Sequence, residues 1–175
     1  MRLLRLLTPP LAALLLAGCA SKPMATVANV DLPRFMGDWY VIANIPTWIE
    51  RDARDAVESY RLAPDGTIET TFTYRGPGDE PKRLTARARV LDRASNALWG
   101  MQFVWPFEAD YRIIQLAPDY SHTVIGREKR DYVWIMARAP ALPEAVYAGI
   151  LRELSTQGYD TSLVRKVPQR PGGRS

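Results

Sequence analysis

Cysteine and histidine are almost absent from this chain of 175 residues, which contains one of each, Cys19 and His122. A single cysteine excludes a disulfide within the chain, because the bond needs two thiols. One cysteine and one histidine are also too few ligands for a zinc site built from these residue types. Cys19 is therefore either an incidental thiol or the site of a covalent modification.

Catalytic motifs are missing as well. The sequence has no Gly-x-Ser-x-Gly elbow, no glycine-rich phosphate loop and no cluster of metal ligands. A Ser–His–Asp device would have to use His122, which lies in a predicted strand and is more simply an ordinary strand histidine. We therefore expect no enzymatic activity, no cofactor and no bound metal.

Excess charge and long apolar runs are scarce too. The chain is formally +4, but residues 1–18 hold two arginines and no acid, which leaves +2 for the remainder. This near balance gives no reason to expect binding to nucleic acid. The apolar run Leu11–Ala17 is too short to cross a hydrocarbon core of about 30 Å, which takes about 20 apolar residues.

That run instead belongs to a predicted secretory signal. Arg2 and Arg5 precede it, and small residues follow it. The motif Leu-Ala-Gly-Cys at residues 16–19 resembles the bacterial lipobox, in which the signal is removed before the cysteine and the cysteine is acylated. The resemblance implies that Cys19 carries a membrane anchor of several acyl chains, which hold a domain almost permanently. Ala20 after the cysteine favours the bacterial outer membrane.

The remaining chain is long enough for one domain with a hydrophobic core. Before and after that domain, the composition suggests a linker and an unstructured end. We predict a signal peptide at residues 1–18, a lipidated tether at 19–30, a barrel domain at 31–168 and a disordered tail at 169–175.

Short runs rich in β-branched and aromatic residues, separated by turn residues, predict an all-β fold. Eight such runs occupy residues 37–46, 56–63, 67–75, 82–92, 97–105, 110–117, 121–128 and 131–138. Because the links between them are short, we expect an antiparallel meander. Eight antiparallel strands can close into an up-and-down barrel whose mouth holds one small ligand.

One segment, residues 143–159, has a helical period instead. Pro143 suits the first position of a helix and Gly158 its end. The apolar residues form one stripe, Val146, Tyr147, Ile150, Leu151 and Leu154. We predict a single C-terminal helix packed on the outside of the barrel, followed by a short strand within residues 162–167.

The stretch "FMGDWYVIANIP", together with "YVWIMAR" and the helix, resembles the lipocalins, and in particular the bacterial outer-membrane lipocalins, over residues 31–168. The resemblance implies structural roles for three residues. Trp39 would plug the closed end of the barrel, Arg138 would lie across its indole, and Gly37 would allow a tight turn. The family's usual Thr-Asp-Tyr block is replaced here by Pro-Asp-Tyr at residues 118–120.

Alternation along the strands suggests which side chains face the barrel interior. If Arg138 points inward, then the residues two, four and six positions before it also point inward. Alanines on the fourth strand would leave space for an acyl chain. The predicted ligand-binding residues are Phe72, Tyr74, Ala86, Ala88, Trp99, Met101, Phe103, Tyr132, Trp134 and Met136. The alternative is that these side chains fill the barrel completely.

The resemblance implies a ligand of the fatty acid or lysophospholipid class and a role in storing or transporting such lipids in the cell envelope. A rival interpretation is an envelope scaffold lipoprotein that binds a protein partner through the barrel exterior. Trp48 and Ile49, in the loop after the first strand, would support such a contact or a homodimer. An enzyme acting on lipids through His122 is a third, weaker interpretation.

Overall fold

Eight antiparallel strands wrap into a closed barrel in the computed structural model, which describes residues 23–170. A four-residue helix precedes the barrel, and a longer helix follows it. The elements are α1 (Leu32–Phe35), β1 (Gly37–Ile45), β2 (Arg54–Leu62), β3 (Ile68–Arg75), β4 (Pro81–Val90), β5 (Leu98–Val104), β6 (Phe107–Leu116), β7 (His122–Gly126), β8 (Val133–Ala137), α2 (Glu144–Thr156), a 3₁₀ turn (Thr161–Leu163) and β9 (Arg165–Lys166).

The barrel closes because β1 pairs with both β2 and β8. On β2 its partners run from Gly37 opposite Tyr60 to Tyr40 opposite Val57. A bulge after Val41 shifts the register against β8, and beyond the bulge β1 also pairs with β9. The predicted eight-stranded up-and-down barrel is confirmed.

Strand direction alternates, so the connecting loops fall at two ends. Helix α1 and the turns at residues 63–67, 91–97 and 117–121 lie at one end, which we name the closed end. The loops after β1, β3, β5 and β7 lie at the other, which we name the open end. The β5–β6 hairpin has only Trp105 and Pro106 between its strands, so β6 begins three residues before its predicted start.

Helix α2 packs on the outer wall of the barrel, as predicted. Tyr147, Ile150 and Leu154 are buried, and they join a second apolar cluster that includes Val133 and Ile135 of β8. Gly158 follows the helix with φ +87°, a left-handed conformation that glycine adopts without steric cost. Among residues 23–170, no helix has the length and apolar character needed to cross a bilayer.

Part of the predicted tether packs against the barrel. The backbone N–H of Val27 donates to the carbonyl of Ile113 at 3.0 Å, and that of Val30 donates to Ser95 at 2.7 Å. Val30 is fully buried, and so is most of Met24. A segment that fills apolar surface and pairs its amides is ordered by those contacts, although it has no regular secondary structure.

The predicted tail also begins with ordered residues. The Gln169 side chain donates to the carbonyls of Val41 and Ala56 at 2.8 and 3.0 Å, and Arg170 forms an ion pair with Asp55. The signal peptide, Cys19 and residues 171–175 lie outside the described residues.

Candidate functional site

Aromatic rings fill the closed end of the barrel. They come from α1 and from four strands, and their centroids lie 5.0 to 6.4 Å apart. Trp39 is fully buried among them, and its indole N–H donates to the carbonyl of Phe35 at 2.8 Å. We name this group the aromatic plug: Phe35, Trp39, Tyr60, Trp99 and Tyr111.

Arg138 covers the plug from outside. Its guanidinium carbon lies 3.8 Å from the centroid of the Trp39 ring, and its two terminal nitrogens donate to four backbone carbonyls of residues 34–38 at 2.8 to 3.0 Å. Gly37 lies within that turn at φ +92°. The contact implied by the resemblance is therefore present, and it joins segments 100 residues apart.

The Pro-Asp-Tyr block at residues 118–120 also lies at the closed end. The Tyr120 hydroxyl accepts a hydrogen bond from the backbone N–H of Asp31 at 2.8 Å. The Arg34 guanidinium lies 4.1 Å from the centroid of the Tyr120 ring. The tyrosine thus holds the start of α1, and the change from threonine to proline leaves this contact intact.

The open end contains a cavity of about 490 Å³. This volume falls within the roughly 300–1,000 Å³ typical of small-molecule sites. Most of its wall is apolar, and its deepest residues border the aromatic plug. The lining residues are Thr47, Trp48, Ile49, Glu50, Glu58, Leu84, Thr85, Met101, Phe103, Val104, Ala109, Asp110, Tyr111, Arg127, Tyr132 and Trp134.

Four of the ten predicted ligand-binding residues line this cavity: Met101, Phe103, Tyr132 and Trp134. The other six lie outside its lining: Phe72, Tyr74, Ala86, Ala88, Trp99 and Met136. They belong to the packed interior or contact it.

Packing explains why these six do not open onto the cavity. The Phe72 ring packs between those of Tyr74 and Trp134, with centroids 5.0 Å away in both cases. Ala88 pairs with Ile68 and Met101 on the neighbouring strands and is fully buried. Ala88 is therefore enclosed within the core instead of leaving space, and Ala86, which is half-buried, packs against the same core.

Two acidic residues of the cavity were not among the predicted site residues. Glu58 extends inward from β2 and is only 3% exposed, and Glu50 comes from the β1–β2 loop. Along β2, Glu58 lies on the same face as Ala56 and Tyr60, so its inward position could have been read from the same period of two. The sequence gives no comparable signal for Glu50, because a loop has no period.

Hydrogen bonds hold the Glu50 carboxylate inside the barrel. It accepts from the side chains of Asn44, Tyr132 and Trp134 and from the backbone N–H of Thr47, at 3.3 to 3.5 Å. Burial raises the pKa of Glu50, and these donors act in the opposite direction.

Glu58 lacks a comparable set of hydrogen-bond donors among residues 23–170. Its Oε2 has no hydrogen-bond partner among residues 23–170. Burial, and secondarily the charge of Glu50, raise the pKa of Glu58 well above its ordinary range. Next to it on β2, the Tyr60 hydroxyl is hydrogen-bonded to that of Tyr111. Glu58 therefore lies between the sealed plug and the open cavity.

Exposed apolar side chains surround the mouth of the cavity. Trp48 and Trp105 are 82% and 81% exposed, and Phe107 is 75% exposed. Trp48 and Ile49 are thus exposed, as the sequence suggested. We name this set the apolar rim: Trp48, Ile49, Phe103, Val104, Trp105 and Phe107.

His122 lies away from the cavity, at the closed end where β7 begins. Its Nδ1 is hydrogen-bonded to the hydroxyl of Ser121 at 3.1 Å. In the part of the chain that the structure describes, no group of three or more His, Cys, Asp or Glu side chains is placed to hold a metal ion.

Comparisons with known proteins agree with this geometry. The family model described as a Lipocalin-like domain matches residues 30–169. The outer membrane lipoprotein Blc of Escherichia coli K12 is 30% identical, over 98% of this chain and 99% of its own. Temperature-induced lipocalin-1 of Arabidopsis thaliana is 29% identical, over 85% of this chain and 84% of its own. In fold, the chain is similar to insecticyanin of the tobacco hornworm Manduca sexta, with a TM-score of 0.66 at 15% identity over 85% of each chain.

Proposed function

The chain belongs to the lipocalin-like family, whose members bind small hydrophobic ligands, and we propose that its own ligand is a fatty acid or a lysophospholipid. In this proposal the hydrocarbon chain occupies the open-end cavity, and the protein stores or transports such lipids in the cell envelope. Lipocalins are binding proteins rather than enzymes, so the protein acts by binding.

The observation that supports this function best is a mostly apolar cavity in a barrel sealed at its other end. Burial of apolar surface contributes about 0.8 kcal/mol per methylene, so a single acyl chain gains several kcal/mol on entering. Met101 and Trp134 supply apolar wall deep in the cavity, and Phe103 supplies it at the mouth.

The proposed setting is the outer membrane of a bacterium. Relatives bear the name outer membrane lipoprotein, and this chain has a lipobox at residues 16–19. We propose that residues 1–18 are removed and that Cys19 is acylated. The apolar rim supports this setting, because exposed tryptophans favour the interface between lipid and water, where shed lipids are found.

The direct test is lipid binding to the purified protein. A fluorescent fatty acid is titrated into it, and unlabelled fatty acids and lysophospholipids are used to displace the probe. Ala109→Phe fills the cavity and is expected to weaken binding at least about tenfold, or 1.4 kcal/mol. The control, Ala145→Phe on the exposed surface of α2, should leave affinity unchanged. No saturable binding of either lipid class to the unaltered protein would refute the proposal.

The apolar rim also favours the alternative, a scaffold that binds another envelope protein or a second copy of this chain. Lipid extraction of the protein purified from its native membrane distinguishes the two. A carrier binds lipid stoichiometrically as a monomer or a dimer. A scaffold remains empty and co-purifies with its partner from the membrane, and Trp48→Ser with Trp105→Ser abolishes that association.

A further inference from the structure

The floor of the cavity presents a carboxyl group that lacks a partner. Glu58 is 3% exposed, it lines the cavity, and its Oε2 accepts no hydrogen bond from residues 23–170. Such an atom costs free energy, and folded proteins keep few of them outside functional sites. A ligand that donates a hydrogen bond at this position would supply the missing partner.

The titratable groups that surround Glu58 are acidic or phenolic. They come from four elements of the fold: Glu50 of the β1–β2 loop, Tyr60 of β2, Tyr111 of β6 and Tyr132 immediately before β8. Two further charged residues line the cavity: Asp110, which pairs with Arg112 at 2.9 Å, and Arg127, whose guanidinium lies 3.5 Å from Asp131 and whose Nε has no hydrogen-bond partner among residues 23–170. Close to Glu58 and Glu50, a ligand ammonium group would favour the ionised form of Glu58, whereas a ligand carboxylate would oppose it at low dielectric.

We propose that the floor of the cavity binds the ammonium group of a single-chain amphiphile, with Glu58 accepting its hydrogen bonds. Glu50 contributes a second negative charge, held in place by its own donors. The hydrocarbon chain then extends along Met101 and Trp134 toward the mouth. This inference rests on the proposed function, because it takes the cavity as the lipid site, and it names the polar group that the site prefers.

The release or uptake of a proton on ligand binding provides a separate test of this inference. Burial raises the pKa of Glu58, so the empty cavity favours its protonated form. An ammonium ligand favours the carboxylate, so binding releases a proton and the affinity rises with pH. A fatty acid carboxylate on the same floor does the opposite, since it takes up a proton on binding and its affinity falls with pH.

The test uses three probes with the same chain: dodecylammonium, dodecanoate and dodecanol. Each competes with a fluorescent lipid on the purified protein at pH 6 and pH 8. We expect dodecylammonium to bind at least about tenfold more tightly than dodecanoate at pH 8, a difference of 1.4 kcal/mol. Glu58→Gln should abolish this preference. Glu80→Gln, at the open end but outside the cavity lining, should keep the preference.

Calorimetry in buffers of different ionisation enthalpy provides a second measurement on the unaltered protein, which does not depend on a variant that folds. Proton release with dodecylammonium supports the inference. Equal or tighter binding of dodecanoate, or a preference unaffected by Glu58→Gln, overturns the inference. If dodecanol still binds in that case, the proposed function as a lipid carrier stands. Failure of all three probes to bind refutes both this inference and the proposed function.

Discussion

The two ends of the barrel use similar side chains in opposite ways. At the closed end, the Arg138 guanidinium stacks on the fully buried Trp39 and donates to four backbone carbonyls. At the open end, Glu58 has an oxygen without a partner in the described part of the chain, and Trp105 is 81% exposed. Both ends combine aromatic rings with charge, but Arg138 is bonded within the fold, whereas Glu58 at the open end is not fully bonded.

This difference separates stability from binding. Polar groups that are fully bonded within the fold contribute to the free energy of unfolding and offer nothing to a ligand. Groups left unbonded lower stability and remain available for recognition, which is common at functional sites. Substitutions at the closed end should therefore change stability first, and those at the open end should change binding first.

The largest effect is expected from Trp39→Ala in the aromatic plug. Truncating a buried tryptophan removes apolar contacts and leaves a cavity, at a cost of about 3–5 kcal/mol in the free energy of unfolding. Trp48→Ala, at an exposed indole of the open end, should change it by less than about 0.5 kcal/mol. Urea denaturation measures both variants, and equal losses would contradict the proposed division between the two ends.

Arg138→Met should have the next largest effect. It removes the stack on Trp39 and leaves backbone carbonyls at residues 34–38 without their donor, at about 2–3 kcal/mol. Arg138→Lys should recover only part of the lost free energy of unfolding, because an ammonium group lacks the planar guanidinium that donates to several carbonyls at once. Full recovery in urea denaturation would show that charge alone is what matters.

A smaller effect, opposite in sign, is expected from Glu58→Gln. Since the pKa of Glu58 is raised in the fold, the folded protein keeps a proton that the unfolded chain loses near pH 4.5. Stability is therefore highest below that pH and falls as the pH rises toward the raised value. The glutamine variant should remove this fall and be more stable than the unaltered protein at pH 8. Thermal unfolding at pH 4 to 8 tests this, and a fall of the same size in the variant would contradict it.

The smallest change in stability is expected at the apolar rim. Trp105→Ser combined with Phe107→Ser should alter the free energy of unfolding by less than about 0.5 kcal/mol, because both side chains are exposed. The same variant should bind liposomes more weakly, which flotation with the lipid-free protein measures. A matched pair on the exposed surface of α2, Glu153→Ser with Arg152→Ser, should leave flotation unchanged.

The fold could be predicted from the sequence because barrel strands and an amphipathic helix have different periods. The alternation Ile68, Phe72 and Tyr74 appears in the structure as a buried face of β3, and α2 buries the stripe read from residues 146–154. Both patterns are local, and each repeats enough times to set the element and its buried face.

The site was only partly predictable, because alternation tells which way a side chain points and not how deep it lies along the barrel. Trp99 and Met101 share an inward face of β5, yet the first belongs to the plug and the second lines the cavity. The depth of each residue along the barrel axis depends on how far β5 extends relative to all other strands. Glu50 enters the barrel from a loop, so its position depends on donors that are far apart in sequence.

The pairing of β1 with β8 has a consequence for how the chain reaches this structure. Ala43 pairs with Ile135, while β1 meets β2 at Tyr40 opposite Val57. During synthesis one side of β1 can find its neighbour early, but the other must wait until more than a hundred residues have been made. Until then the strand has a bare hydrogen-bonding edge, which invites pairing with other chains. The interval before β8 is complete is therefore the stage at which this protein is most open to aggregation.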